Sequence, residues 1–166
     1  QPGDAPLISI VTVVLNDRNG FLRTLASVKR QTYRRIEYIV IDGGSTDGRR
    51  KVIGRGKAFI NYSISEPDRG IYDAMNKGIS VASGELVLFL NAGDVLFESS
   101  VLSTFVSKFY ERGLQRIYLC EVRTDRGKHV KPILPQWRKN YMLPTYHQGI
   151  LYPAAVLKNN PFSLTY

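Results

Sequence analysis

Apolar and polar residues alternate between two periods along the chain. Residues 7–15 form a β-branched apolar run of strand length, broken only by Ser9 and Thr12, and continuous enough to be buried on both faces of a sheet. Asn16-Asp17-Arg18-Asn19-Gly20 is turn chemistry. Phe21/Leu22, Leu25 and Val28 then recur at helical spacing to about Gln31, and residues 36–41 repeat the buried-strand pattern. The loop from Asp42 to Gly48 opens a basic helix predicted over 47–56, and 59–64 alternates as a third strand. Ile71, Ala74, Met75, Gly78, Ile79 and Ala82 mark an amphipathic helix whose polar face carries Asp73, Asn76, Lys77 and Ser80. A further buried strand over 85–90 stops at Asn91-Ala92-Gly93-Asp94. The pattern then predicts a helix within 98–112 with Val101, Leu102, Phe105, Val106 and Phe109 inward. A strand over 116–122 follows, and 126–137 reads only weakly as strand and loop.

Strand–helix alternation at this spacing predicts βαβ units and a single α/β domain around a mostly parallel sheet. In such sheets ligands bind beyond the carboxyl ends of the strands. Here those ends carry Asn16/Asp17, Asp42, Glu66/Asp68 and Asn91/Asp94, polar and mostly acidic residues converging on one edge. The composition (166 residues, 43% hydrophobic, 22% charged) excludes a disordered, collagen-like or disulfide-stapled chain. Cys120 is the only cysteine, which excludes an internal disulfide and a Cys-rich zinc site. No apolar run is long enough to span a bilayer, and residues 1–6 lack the basic and apolar regions of a signal peptide, so a cytoplasmic location is expected.

The net charge of +9 favours anionic partners. Residues 18–57 hold eleven Lys and Arg and 108–139 hold nine, against two in 60–107. Aromatic platforms are sparse in 18–57, and acidic strand ends would repel nucleic-acid phosphates, so no nucleic-acid partner is expected. The second basic segment, with Trp137 and Tyr141 nearby, suits peripheral contact with anionic lipid on the inner face of a plasma membrane.

Asp42-Gly-Gly-Ser-Thr-Asp47 reads either as a capped tight turn or as a nucleotide cleft with backbone N–H groups facing an anion. Neither a Gly-x-Gly-x-x-Gly nor a Walker lysine pattern is present. Asp94 suits either a helix cap or a Mg²⁺ or Mn²⁺ site, since these hard ions take few carboxylates plus substrate phosphates. Glu66 and Asp68 have the alternative of pairing with Arg69.

Five ordered motifs carry a resemblance: Pro6 to Asn16, Ser27-Val-Lys-Arg-Gln31, Glu37 to Gly48, Glu66-Pro-Asp-Arg-Gly-Ile-Tyr-Asp-Ala-Met-Asn-Lys-Gly78 and Ala82 to Asp94. They resemble family 2 glycosyltransferases of the GT-A fold, with its Rossmann-like nucleotide-sugar-binding sheet, and most nearly the bacterial exopolysaccharide and colanic-acid-type enzymes. The likeness is weaker out to His147-Gln148. It implies a UDP- or GDP-sugar donor, a Mn²⁺ or Mg²⁺ ion, and inverting transfer to a saccharide or lipid-linked saccharide hydroxyl. Carried over, Asn16 lines the nucleotide pocket, Asp42 binds base or ribose, Asp68, Asp73, Asn76 and Asn91 lie along the donor cleft, and Asp94 holds the metal. The donor half is then 7–94, after an arm at 1–6, and the acceptor half 95–166.

The chain departs from the family pattern at three places. Gly43 stands where many relatives have a second acid, and Asn91 and Gly93 stand where an Asp-x-Asp motif has its acids. No Asp or Glu follows Gln148, where relatives carry the acidic general base, so the base is expected beyond Tyr166, with His147 as the nearby substitute and poor transfer by these residues alone. A sugar-phosphate nucleotidyltransferase is the alternative, but its Gly-rich basic signature after the first strand is missing.

Overall fold

A computed structural model describes residues 5–47, 58–109, 117–123, 128–130 and 147–164. Among them, β1 (Ile8–Val14), α1 (Arg18–Lys29), β2 (Ile36–Asp42), β3 (Tyr62–Ser65), α2 (Ile71–Val81), β4 (Leu86–Phe89) and α3 (Val101–Phe109) follow in order. Short strands β5 (Tyr118–Leu119), β6 (Val122–Arg123) and β7 (His129–Val130) come next, then a 3-10 turn (His147–Gly149), β8 (Ile150–Pro153) and α4 (Ala154–Asn159). The main sheet has the order β3-β2-β1-β4-β8-β5, and β6 pairs only with β7.

The first four strands are parallel, with Ile8 opposite Ile36 and Leu86, and Asp42 opposite both Val14 and Ser65. β8 joins β4 and β5 antiparallel, so the sheet is mostly parallel, as the alternation predicts. Chain order reverses beside β1: β2 lies on one side of it and β4 on the other. A crevice opens at such a reversal, beyond the carboxyl ends of the two strands.

The sheet is buried from both sides, which explains the unbroken apolar runs. Ile8, Ile10 and Val14 pack with Phe21, Leu25 and Val28 of α1 and Leu102 and Phe105 of α3. Val11 and Val13 pack on the opposite face with Ala74, Met75 and Ile79 of α2 and Leu157 of α4. Gly78 lets α2 lie close on β1, because a Cβ there would come within 2.4 Å of a Val11 methyl.

Several boundaries differ from the sequence pattern. The third strand is shifted to Tyr62–Ser65, since Asn61 instead uses both its backbone N–H and its side-chain oxygen on the Tyr38 backbone. The strand expected over 116–122 is split into β5 and β6; between them the Cys120 N–H bonds the Gly149 carbonyl. Leu22 and Ile71, expected inward, are exposed at the margins of their helices. β8 and α4 are additions to the expected elements. The helix expected over 47–56 and most of 126–137 lie outside the described residues.

Glu37 ties the opposite end of the sheet. It accepts from the Ser9 hydroxyl and from the N–H and hydroxyl of Ser83. Burial raises its carboxyl pKa, but these hydrogen bonds outweigh burial and leave it below the ordinary value of 4.5. A depressed carboxylate stabilises the fold above its unfolded pKa and loses that contribution as pH falls through its folded one. Glu37→Gln is therefore expected to cost about 1 kcal/mol at pH 7. In urea titrations across pH, the gap from the parent should close below pH 4.5.

Candidate active site

The carboxyl ends of β1, β2 and β3 are joined by one polar network. Asp42, the last residue of β2, is fully buried. Its Oδ1 accepts from the Ser45 N–H (3.2 Å) and hydroxyl (2.5 Å), and its Oδ2 from the Ser65 hydroxyl (2.7 Å). Ser45 Oγ in turn accepts from the Asn16 N–H at 2.9 Å, and Asn16 Oδ1 accepts from the Thr46 N–H at 3.0 Å. Asp47 accepts from the Arg18 N–H. Asn16 is held at φ 48, in the left-handed region that asparagine tolerates. Asp42 thus turns into the loop it shapes, while Asn16 stays exposed at the rim.

The 66–78 segment places its acids unevenly. Asp68 Oδ1 accepts from the Gly70 N–H, and its Oδ2 lies where a side chain at position 43 would begin, 2.5 Å from an ideal Cβ on Gly43. Asp68 therefore fills the space left by the glycine. Arg69 pairs with Asp73 and Glu66 with Lys77, in place of a pairing of Glu66 and Asp68 with Arg69. Asp73 accepts from the Arg69 N–H and guanidinium, which hold its carboxyl below the ordinary value, so it braces the entry to α2. Asn76, on α2, bonds the segment after α4. Its amide donates to the Phe162 carbonyl and accepts from the Phe162 N–H, both at 2.9 Å, clamping the segment after α4 onto α2.

Beyond β4, Asp94 closes a turn by donating its N–H to the Asn91 carbonyl, and Gly93 takes φ 98, open to glycine without strain. The Asp94 carboxylate accepts from the Gln148 amide at 3.3 Å; Gln148 belongs to the turn that His147 opens. Burial lifts the Asp94 carboxyl above its ordinary value, against the smaller opposing effects of the Asn91 backbone and Gln148. Asn91 Oδ1 is buried and, among the described residues, has no hydrogen-bond partner. A cavity of about 1240 Å³ opens beside Asp94, lined also by Arg23, Phe97, Glu121, Arg123 and Gln148.

The sequence matches the family described as Glycosyl transferase family 2 over residues 9–157. The chain belongs to glycosyltransferase family 2. An uncharacterized glycosyltransferase of Mycobacterium tuberculosis is 44% identical over 110 residues, covering 66% of this chain and 42% of that protein. A PGL/p-HBAD biosynthesis glycosyltransferase of Mycobacterium bovis is 36% identical over 104 residues, 60% of this chain and 40% of its own. The chain thus spans less than half the length of these relatives. Staphylococcus aureus TarS (residues 1–349) superimposes with a TM-score of 0.75 at 21% identity, over 92% of this chain and 48% of that one. The mannosyltransferase PcManGT of Pyrobaculum calidifontis, solved with GDP-Man and Mn²⁺, gives 0.64 at 22%, over 76% and 38%. The expected GT-A fold is the observed one.

The family's divalent cation fits the residues after β4. Among the described residues no three His, Cys, Asp or Glu side chains converge, so a metal held by protein alone is not built here. One carboxylate and one amide oxygen lacking a donor are nevertheless a suitable partial set for a hard ion that takes its other ligands from diphosphate and water. Sequence reasoning missed Gln148, the partner of Asp94, and the α1 hydroxyls behind this loop. A polar side chain facing inward on an otherwise amphipathic helix was the available signal.

Removing the Asp42 carboxylate strands two hydroxyls and an N–H in a buried site. Asp42→Ala is expected to lower stability by about 2–3 kcal/mol, and Asn16→Ala, at the exposed rim, by under about 1 kcal/mol. Guanidinium unfolding midpoints of the two variants measure the difference.

Proposed function

We propose that this chain supplies the donor-binding core of a glycosyltransferase, in which residues 7–94 hold a nucleoside diphosphate sugar. The observation that carries this reading is that one turn beyond β4, at the β1/β4 reversal of the sheet, carries both the Asp94 carboxylate and a buried Asn91 Oδ1 with no donor among the described residues. Asn16 and the Asp42-braced loop line the nucleoside end, with Asp68 facing them from the next loop. Asp73 acts by holding that loop, and Asn76 by clamping the wall of the cleft.

Bound at Asp94 and Asn91, Mn²⁺ or Mg²⁺ would supply positive charge to the diphosphate as it becomes a leaving group. In the transfer, an acceptor hydroxyl oxygen bonds to the anomeric carbon as the carbon–oxygen bond to the diphosphate breaks. The bonding pair leaves with the nucleoside diphosphate, and the hydroxyl proton passes to a base. A single displacement inverts the anomeric centre. That base comes from outside the donor half, with His147 the substitute nearest to it in the sequence.

A UDP- or GDP-sugar donor is supported by solved neighbours: TarS with UDP-GlcNAc and PcManGT with GDP-Man. The acceptor in this reading is a saccharide or lipid-linked saccharide of a cell-surface glycan, reached from the cytoplasmic face. Among the described residues no helix is long and apolar enough to cross a membrane. The basic segment 108–139, largely outside the described residues, would meet anionic lipid, each base contributing about 1 kcal/mol. Co-sedimentation with phosphatidylserine vesicles should occur at low salt and disappear at high salt; no binding at low salt contradicts the membrane contact.

Titration calorimetry with UDP and GDP, with and without Mn²⁺, tests the donor site. One nucleotide should bind the parent, more tightly with Mn²⁺, and Asp94→Asn should abolish the Mn²⁺ enhancement. The same variant should not lower the metal-free Tm. A carboxyl raised by burial loses stability as pH climbs from its unfolded to its folded pKa, and the amide escapes that loss. An undiminished Mn²⁺ enhancement in Asp94→Asn would contradict the assignment.

A further inference from the structure

Helix α1 carries a buried polar stripe inside its apolar face. Thr24 and Ser27 on this helix, and Gln31 just past its end, are essentially without exposed surface, beside the buried Phe21, Leu25 and Val28. Each makes at least one hydrogen bond to the segment that follows β4. Gln31 donates to the Glu98 carbonyl and accepts from the Leu102 N–H. Ser27 accepts from the Leu96 N–H. Thr24 Oγ1 accepts from the Gly93 N–H at 3.0 Å and donates to the Asp94 carbonyl at 2.7 Å, with the Gly20 and Asn91 carbonyls within 3.1 and 3.3 Å.

We propose that Thr24 is a positioning residue for the cation-binding turn: its hydroxyl fixes the backbone of Asn91–Asp94 so that the Asp94 carboxylate and Asn91 Oδ1 are presented together before any ligand arrives. The inference rests on the donor-site reading above. Its physical basis is that a single hydroxyl grips the turn at two successive residues, one as acceptor and one as donor. The gripped glycine, at φ 98, is the residue with the widest conformational choice in the turn. Without the hydroxyl, the N–H and carbonyl of the turn lose a buried partner and the turn gains conformers that separate its two oxygens. Thr24 itself touches neither cation nor donor. Ser27 and Gln31 hold the same connection farther along, where they set the path into α3 rather than the turn.

The test compares Mn²⁺ affinity, by titration calorimetry and by electron paramagnetic resonance of free Mn²⁺ with UDP or GDP present, across the parent, Thr24→Val, Thr24→Ser and Ser27→Ala. Removing such a supporting hydrogen bond typically weakens metal binding 10–100-fold. Thr24→Val is expected to show that loss, and Thr24→Ser to stay within about threefold of the parent because it keeps the hydroxyl. Ser27→Ala is expected to lower Tm while leaving Mn²⁺ affinity unchanged. Amide exchange at Gly93 in metal-free protein should accelerate in Thr24→Val alone. If the added methyl prevents folding, Thr24→Ala, which removes the hydroxyl without crowding the Gly93 N–H, carries the same expectation. Equal Mn²⁺ affinity in the parent and the hydroxyl-less variants would overturn this inference while the donor-site reading stands. An equal loss in Ser27→Ala would also overturn it, by showing a general effect of stability. A parent that binds no Mn²⁺ with either nucleotide would overturn the donor-site reading and this inference with it.

Discussion

A carboxylate with no exposed surface must find donors within the protein or forfeit much of the fold's stability, and Asp42 finds them on its own loop and on the neighbouring strand at once. Ser45 comes from its own loop and Ser65 from the end of β3; through Ser45 the network reaches Asn16 beyond β1. Three parallel strands therefore deliver their carboxyl ends to one rim as a connected polar surface. An apolar residue would pack the same strand, but an acceptor with two oxygens orders both serines together. Loops held this way leave the exposed Asn16 at the edge where the crevice opens.

Across that crevice the turn after β4 is held from behind by α1. The helix and its end perform two tasks with two sets of side chains: Phe21, Leu25 and Val28 enter the core, while Thr24, Ser27 and, just past the helix, Gln31 bond the chain from Gly93 to Leu102. One helix thereby fixes the turn that carries Asp94 relative to β1 and its loop. The two halves of the proposed donor site, nucleoside and diphosphate, share a rigid spacer. In the proposed site this arrangement would keep a single carboxylate in register without an Asp-x-Asp pair.

Most of this framework was legible in the sequence. Runs buried on both sides gave β1, β2 and β4, and the long apolar spacing of α2 gave its place and inward face. The acidic ends of the parallel strands gave the edge on which they meet. β8 and α4 escaped because four and six residues are too few to display a period, and their place depends on pairing with β4 far away in the chain. The partner of Asn76 escaped for a related reason: an amide on the polar face of a helix reads as solvent-facing, yet it bonds Phe162. The space filled by Asp68 against Gly43 is likewise a property of two loops meeting, invisible to either alone. The resemblance names candidate residues by motif; in the structure Asn16 is exposed at the rim, while Asp42, Asp73 and Asn76 hydrogen-bond neighbouring segments.

The central claim is that the turn after β4 receives a divalent cation together with the donor's diphosphate. The most direct measurement is the anomalous scattering of Mn²⁺ in crystals of this chain grown with UDP or GDP. The account predicts one strong peak within bonding distance of the Asp94 carboxylate, Asn91 Oδ1 and the diphosphate oxygens, with the nucleoside over the Asn16 and Asp42–Asp47 loops. A Mn²⁺–nucleotide complex bound elsewhere, with Asp94 and Asn91 untouched, would contradict it.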